Sequence, residues 1–454
     1  MVHQYKNNGY NIVLDVCSGS VHVVDDLVYD IISLYEENDK EQIIEKLSQY
    51  DSADVSEAYD EVAQLVEDGT LFTDDVYKDY IIDFKKRKTV VKALCLHIAH
   101  DCNLACRYCF AGEGEYKGDR ALMSLEVAKK SLDFLVANSG FRRNLEVDFF
   151  GGEPLMNWNV VKETVEYGRS LEEKYDKKFR FTLTTNGVLL NDEIMEFANR
   201  EMANVVLSID GRKEVHDYMR PTRNGKGSYD VILSKFQEFA KKRAGKSYYV
   251  RGTYTHNNLD FSEDVLHMAD LGFDQISVEP VVSLPDEPYA IKEEDIPVLL
   301  EQYDILAKEM IKRHKEGRGF NFFHFMIDLE GGPCVAKRLS GCGSGTEYMA
   351  VTPWGDLYPC HQFVGEDDFC IGNVFDGIKN QDIVNEFKLC NVYAKDKCKD
   401  CFARFYCSGG CAANSYKFHG NILDAYDIGC ELQKKRIECA IMLKAAMADE
   451  AEEE

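Results

Sequence analysis

Basic residues are in short supply in this chain. Lys and Arg number 53 against 79 Asp and Glu, for a formal net charge of −26 and a pI near 4.9. Nonspecific nucleic-acid affinity is mostly neutralisation of phosphates by Lys and Arg, so this balance disfavours a nucleic-acid partner. Long apolar runs are missing too. The opening residues, MVHQYKNNGYNIVLDVCSGS, hold no basic segment followed by an apolar one, and no stretch approaches the length of a membrane span. These absences predict a cytoplasmic protein with no membrane partner. Hydrophobic residues make up 45% of the 454 positions, enough for a large core. The length suggests roughly two to four domains.

Cysteine is plentiful. In a small secreted protein 16 cysteines would suggest disulfides, but in a long chain without a signal segment they point to metal or redox chemistry. Three fall between Cys102 and Cys109, and ten between Cys334 and Cys430. Cys17, Cys95, Cys370, Cys390 and Cys439 stand outside the tight spacings and read as small buried apolar residues.

The first segment has its own pattern. Tyr10–Cys17 and Ser20–Val24 alternate around Ser18-Gly19, which predicts a hairpin. Three amphipathic helices follow: one capped by Asp25 or Asp26, one near Lys40–Leu47, and one carrying Val55, Tyr59, Val62 and Val66 and ending at Gly69. A short strand is predicted at Thr70–Thr73, completing a winged-helix-like unit, with the charged stretch Asp74–Lys88 as a linker. From Thr89 onward strand and helix alternate. Strand candidates lie near Leu94 and end at Phe150, Thr185, Ile209, Thr255 and Val282, with helical stretches such as Leu125–Ala137, Asn191–Asn199 and Asp295–Lys315. That order predicts a parallel sheet with right-handed crossovers, an open or closed α/β barrel whose ligands gather at the carboxyl ends of the strands. The segment after Lys315 is rich in Cys, Gly and aromatics, with little helical periodicity before Asp424, and the tail ADEAEEE reads as a solvated acidic end.

After the first barrel strand comes Cys102-Asn-Leu-Ala-Cys106-Arg-Tyr-Cys109. Three thiolates at this spacing can hold three irons of a [4Fe-4S] cluster and leave the fourth open, since full ligation takes four cysteines. A structural zinc loop would need a fourth ligand, and none stands nearby. Gly151-Gly152-Glu153-Pro154 follows the second strand, where small residues permit close approach of a ligand to exposed carbonyls. Thr184-Thr185-Asn186-Gly187 and Ser208-Ile209-Asp210-Gly211 end the next two with groups able to bond a ribose. Each of these alone would read as turn chemistry.

Together these strand ends resemble the radical S-adenosylmethionine (SAM) superfamily. The resemblance implies that Cys102, Cys106 and Cys109 hold a SAM-binding cluster and that Gly151, Gly152 and Glu153 form the SAM amine-binding motif. It makes Ser208 the principal SAM contact in its strand end and puts Tyr108 at the adenine contact, largely through its backbone. Arg220 could pair with the SAM carboxylate through its planar fork. Cys342, Gly355-Asp-Leu-Tyr-Pro-Cys360, Cys398-x2-Cys401-x5-Cys407-x3-Cys411 and Cys430 resemble the SPASM domain, which holds two auxiliary [4Fe-4S] clusters. The resemblance assigns Cys398, Cys401, Cys407 and Cys430 to one and Cys342, Cys360 and Cys411 to the other. Cys334 or a substrate thiolate is then the fourth ligand of the latter.

Taken over its whole length, and on the stretch CRYCFAGEGEYKG, the chain resembles the SCIFF peptide maturases, which install thioether crosslinks in a cysteine-rich ribosomal peptide. The first segment is similar to the PqqD-like element in which a leader peptide adds a strand to a hairpin. Expected, then, is a partial (β/α)6 radical SAM barrel at 81–315, a leader-recognition domain at 1–80 and a SPASM domain at 316–454. The cofactors would be three [4Fe-4S] clusters and SAM, and the partners a cysteine-rich precursor peptide and a one-electron donor of flavodoxin or ferredoxin type. The product would join a Cys sulfur to a carbon of an acceptor residue, with Thr implied by the resemblance. A sulfatase-maturating dehydrogenase and a non-enzymatic zinc scaffold are the alternatives.

Overall fold

Asn8 and Gly9 both take positive φ, 47° and 91°, the conformation of a type I′ turn, and they join two strands at the start of the chain. The structure, a computed structural model, describes residues 1–78, 86, 88–243, 245–329 and 335–453. Cys334 and much of the predicted linker lie outside the described residues. Strands β1 (Val2–Asn7), β2 (Tyr10–Asp15) and β3 (Val21–Val24) form an antiparallel sheet in that order. Strand β1 was not expected, although Asn-Gly between alternating residues is a strong hairpin signal.

Three helices pack on one face of this sheet: α1 (Asp26–Leu34), α2 (Lys40–Lys46) and α3 (Ser52–Glu67). Asp25 caps α1, its carboxylate accepting from the Val28 N–H at 2.8 Å, and Asp39 with Gln42 forms a capping box on α2. Val13 from β2 joins Ile31, Ile43, Val55 and Val62 in a small core. The predicted strand at Thr70–Thr73 is corrected to irregular chain. The segment returns to the sheet through side chains instead: the Thr73 N–H donates to the Asp15 carboxylate at 2.9 Å, and His22 Nε2 bonds the Thr70 carbonyl.

Successive residues of a strand face opposite ways. Here Val13 serves the three helices, while Ile12 and Leu14 face the C-terminal segment and pack with Val392, Phe405, Ile437 and Ile441. His3 stacks on Phe402 at 3.5 Å between ring centroids, the Tyr5 hydroxyl donates to the Glu438 carbonyl, and Arg404 pairs with Asp75 at 2.9 Å. The first unit is therefore fastened to the loop that carries Cys401 and Cys407.

All six predicted barrel strands are present. They are β4 (Ala93–His100), β6 (Asn144–Gly151), β7 (Lys178–Thr185), β8 (Met202–Ser208), β9 (Ser247–Tyr254) and β10 (Gln275–Pro280), parallel and adjacent in that order. A two-residue strand, β5 (Ala121–Leu122), pairs with the end of β4. The crossovers carry α4 (Leu125–Asn138), α5 (Trp158–Tyr175), α6 (Asp192–Glu201), α7 (Lys213–Met219), α8 (Tyr229–Lys242) and α9 (Phe261–Asp270). In β6, β7 and β9 buried residues alternate with half-exposed ones. Leu145, Val147, Phe181, Leu183 and Val250 are wholly buried, while Asp148, Thr184, Arg251 and Thr253 alternate with them. Strand β4 is buried throughout, as expected of a parallel strand covered on both faces.

The sheet does not stop at six strands. After α10 (Ile296–Lys315), β11 (Asn321–Phe322) pairs with β10, and β12 (Tyr348–Val351) pairs in parallel with β4 at the other edge. Strands β13 (Asp356–Tyr358), β14 (Gly372–Asn373) and β15 (Gly377–Ile378) extend it antiparallel. The expected lack of helix before Asp424 is also corrected. The helices α11 (Val335–Ser340), α12 (Gln381–Leu389), α13 (Asp396–Lys399), α14 (Arg404–Cys407) and α15 (Ala412–His419) precede α16 (Asp427–Glu453). In α12, Ile383, Val384 and Phe387 are buried together, too short an apolar pattern to stand out among cysteines and aromatics. No helix among the described residues is long and apolar enough to cross a membrane.

Candidate active site

The loop after β4 is pinned from two sides. Its Ala105 N–H donates to the Pro221 carbonyl at 2.8 Å and its Arg107 N–H to the Met219 carbonyl at 2.9 Å, tying it to the end of α7. On the other side the Gly152 N–H donates to Ala99 and the Glu153 N–H to Asp101. A Cβ at Gly151 would lie 2.4 Å from the Ala99 oxygen, and one at Gly152 would lie 2.1 Å from the Asp101 oxygen. The pair is needed first for the crossing of β6 by the cysteine loop, so the sequence expectation that these glycines make room for a ligand has a second cause inside the chain. The Gly151 carbonyl accepts from the Tyr116 hydroxyl at 3.1 Å.

Cys102, Cys106 and Cys109 line one cavity with Tyr108, Gly151, Gly152, Glu153, Ser208 and Arg220. The structure thus brings together every predicted SAM-contact residue and the three signature cysteines. Burial pushes the Cys102 and Cys106 thiols up to about 12. Such thiols stay neutral until a metal deprotonates them. Cys102 Sγ accepts from the Leu104 N–H at 3.5 Å and from Asn186 Nδ2 at 3.6 Å.

Several strand-end groups that could have faced a ribose are bound inside the chain instead. The buried Glu153 carboxylate accepts from the Leu155 N–H, the Thr185 hydroxyl and the Asn186 N–H at 2.8–3.0 Å. Burial nevertheless raises its pKa to about 6. Asp210, also buried, accepts from the Tyr108 hydroxyl and the Thr253 N–H. Arg220 donates Nη1 to the Tyr108 hydroxyl at 2.6 Å and stands 3.6 Å from Asp210. Its Nε is buried without a hydrogen-bond partner, so the guanidinium retains a donor for an anionic group.

Residues not foreseen as part of the site complete its walls. Arg251 and Glu279, paired at 2.5 Å, line the cavity from β9 and β10. Burial works against ionisation of Glu279, but Arg251 and its other cationic neighbours hold its pKa down to about 2. Charged residues at alternate positions within apolar strands are the signal that could have found them. His361 and Gln362, directly after Cys360, line the same cavity. His361 packs against Phe110 and Phe150 at 5.5 and 5.2 Å between centroids. The C-terminal segment therefore reaches the mouth of the barrel.

Two further sets of cysteines gather within that segment. Cys407 is buried, its pKa pushed up to about 12 by burial and by Cys430, Cys398 and Cys401 beside it. Burial also raises the Cys360 thiol, helped by neighbouring Cys411 and Cys342. Among the described residues no three His, Cys, Asp or Glu side chains converge as a single-ion site. Cys390, read as a packing residue, lies partly buried beside Cys342, its thiol 3.4 Å from the Ile422 carbonyl. Cys17, Cys95 and Cys439 are buried.

Residues 96–252 match the family described as the Radical SAM superfamily. The chain is 24% identical over 333 residues to the cysteine-type anaerobic sulfatase-maturating enzyme of Clostridium novyi, across 69% of this chain and 86% of that one. The structure of native anSMEcpe with bound AdoMet and Cp18Cys peptide is similar with a TM-score of 0.64 and 20% identity, covering 79% of this chain and 99% of that one. Streptococcus suis SuiB bound to precursor peptide SuiA is similar with a TM-score of 0.53 and 17% identity, covering 94% of this chain and 98% of that one. The family match, over residues 96–252, falls within the parallel barrel, and the fold is similar to that of these solved structures.

Proposed function

We propose that this protein is a radical SAM maturase of a ribosomally made, cysteine-rich precursor peptide, joining a Cys sulfur to an acceptor carbon, Thr by preference, in an intramolecular thioether. One observation carries the reading: Cys102, Cys106 and Cys109 share a cavity with Gly151, Gly152, Ser208 and Arg220, and the wall of that cavity is completed by His361 next to Cys360. The cavity holding the three signature cysteines is thus walled in part by the two residues that follow Cys360. The similar SuiB, bound to precursor peptide SuiA, and a relative named as the antilisterial bacteriocin subtilosin biosynthesis protein AlbA of Bacillus subtilis support a peptide substrate.

The bound cluster with SAM would supply hydrogen-atom abstraction. Cys102, Cys106 and Cys109 would hold that cluster and leave one iron for SAM. Carbonyls of the Gly151-Gly152 turn would accept from the SAM ammonium, Arg220 would offer Nε to its carboxylate, and Ser208 with the Tyr108 backbone would orient the nucleoside. Arg251, Glu279, His361 and Gln362 would fix the peptide and keep water from the reacting carbon. Each link removes two hydrogens from the peptide: one as an atom from the acceptor carbon, the other as a proton from the thiol, with one electron passed on. The C-terminal sets, Cys398, Cys401, Cys407 and Cys430, and Cys342, Cys360 and Cys411, would hold auxiliary [4Fe-4S] clusters that take that electron, with a flavodoxin- or ferredoxin-type protein as external donor. The N-terminal unit would bind the leader along β3, whose Val23 side chain is 48% exposed.

The test is anaerobic. Purified protein should hold about twelve irons for three cubane clusters. With SAM, reductant and precursor peptide it should yield deoxyadenosine and a peptide lighter by two hydrogens per link, resistant to thiol alkylation. A colourless zinc protein would return the reading to a scaffold, and a peptide whose cysteine is oxidised to an aldehyde would return it to a sulfatase-type maturase.

A further inference from the structure

Lys395 is a buried cation without a buried anion. It is 1% exposed, and its ammonium donates to the Gly409 carbonyl at 2.9 Å and the Asp424 carbonyl at 3.1 Å and lies against the Cys390 thiol. Among the described residues no carboxylate lies within ion-pair distance of it. A charge out of water is costly unless something of opposite sign compensates it.

Its surroundings show where such a charge would be. Gly409 lies in the turn between Cys407, in one cysteine set, and Cys411, in the other. The Lys395 stem packs against Gly409, with Cδ 3.9 Å from where a Cβ would stand there. Its own carbonyl accepts from the Cys398 N–H at 3.0 Å, at the start of the first set. The Cys390 thiol that the ammonium touches lies beside Cys342, in the other set. Thiolate-ligated iron–sulfur clusters are net anions, and their potentials follow local charge, hydrogen bonding and burial.

We infer that Lys395 is a positioning residue shared by both auxiliary clusters, a buried ammonium that compensates their charge together and raises both reduction potentials, readying them to accept the electron released when a link forms. The inference rests on the reading of two clusters at these cysteines. A positive charge favours the reduced, more negative state of each cluster, and a poorly screened interior makes that preference large. Lysine suits the place because its stem crosses an apolar layer while its head reaches carbonyls of both loops.

The test uses the full chain, reconstituted anaerobically, with Lys395→Gln and Lys395→Arg. Gln can still donate two hydrogen bonds but carries no charge, and Arg keeps the charge. Iron and sulfide are counted, and the midpoint potentials are followed by EPR-monitored titration, the SAM-binding cluster being recognised by its shift when SAM is added. Lys395→Gln should shift both auxiliary potentials downward, lowering the reduced-to-oxidised ratio at a fixed ambient potential at least tenfold, or about 59 mV for a one-electron couple. Lys395→Arg should stay near the wild type. Should Lys395→Gln lose the auxiliary clusters while Lys395→Arg keeps them, the charge is required for their retention and the inference stands. Clusters kept by Lys395→Gln at unchanged potentials would overturn it, and so would loss of clusters in both variants, which marks a steric role. A wild type holding a single cluster would remove the underlying reading, and the inference with it.

Discussion

Arg220 Nη1 lies 2.6 Å from the Tyr108 hydroxyl, and the same hydroxyl donates to Asp210, so an arginine after α7, a tyrosine inside the cysteine motif and an aspartate after β8 form one buried chain of charge. This chain, together with the backbone bonds to Pro221 and Met219, sets the position of the cysteine loop. Removing the hydroxyl with Tyr108→Phe should leave Asp210 and Arg220 each short of a partner at a cost of ~1–3 kcal/mol. Arg220→Met should cost more, ~3–5 kcal/mol, because it leaves the Asp210 carboxylate buried without its cation. Urea unfolding of the iron-free variants measures both, and equal stability in Arg220→Met and wild type would show that the chain does not hold the loop.

Replacing Cys102, Cys106 and Cys109 together by alanine should abolish deoxyadenosine formation and leave iron at the C-terminal cysteines, because the two regions draw on separate loops. Iron counting and chromatography of the SAM products read the two effects. SAM cleavage surviving in the triple variant would remove the assignment of these thiols.

Deleting the first unit would be a poor test of leader binding, since Ile12 and Leu14 cover Phe405 and Ile441 beside the cysteine loop. Val23→Lys is gentler: the side chain is half exposed, and an edge lysine opposes strand addition. Peptide affinity should fall about tenfold or more, equivalent to ~1.4 kcal/mol, while SAM cleavage without peptide stays unchanged. Fluorescence anisotropy with a labelled leader follows the first, and unaltered affinity would exclude the β3 edge as the docking strand.

The barrel was legible in the sequence because its strands are short apolar or alternating runs ended by glycine or a polar turn, and the cysteine motifs were legible because ligand spacing is local as well. What escaped depends on distant partners. Nothing near Tyr348 announces that β12 will pair with β4, and nothing near Thr185 says that its hydroxyl will serve Glu153 rather than a ribose. The Gly151-Gly152 pair was noticed for the right position, yet its closest neighbour is the chain's own Ala99–Asp101 backbone. Thr70–Thr73 failed as a strand because its polar contacts with Asp15 and His22 replace a ladder.

Glu153 makes stability depend on pH in a definite direction. Burial raises its folded pKa to about 6 from the ordinary 4.5, despite three hydrogen bonds that favour the carboxylate. The native state therefore takes up its proton before the unfolded chain does, and stability falls as pH rises through the window from about 4.5 to about 6. The contribution is ~2 kcal/mol at ~1.4 kcal/mol per pKa unit. Iron-free protein should accordingly be more resistant to urea at pH 5 than at pH 7 in this component, and Glu153→Gln should remove it, at some constant cost because its amide would face the Asn186 N–H. A Glu153→Gln protein whose pH dependence in that window matches wild type would show that this carboxyl is ionised throughout.

The fourth ligand beside Cys342, Cys360 and Cys411 is decided by a substitution at Cys334. If the cluster there keeps an open iron for a substrate thiolate, Cys334→Ala should retain its iron, and the cluster's spectrum should shift when a cysteine-containing peptide is added but not when its serine analogue is. Iron would hold the substrate sulfur deprotonated and close to the acceptor carbon, which is what bond formation requires. Cys370→Ala is the control, because its thiol lies against the Gly372 carbonyl and its loss should leave the cluster and the peptide response intact. Loss of the cluster in Cys334→Ala even with peptide bound would make Cys334 the structural ligand and withdraw direct coordination of the substrate.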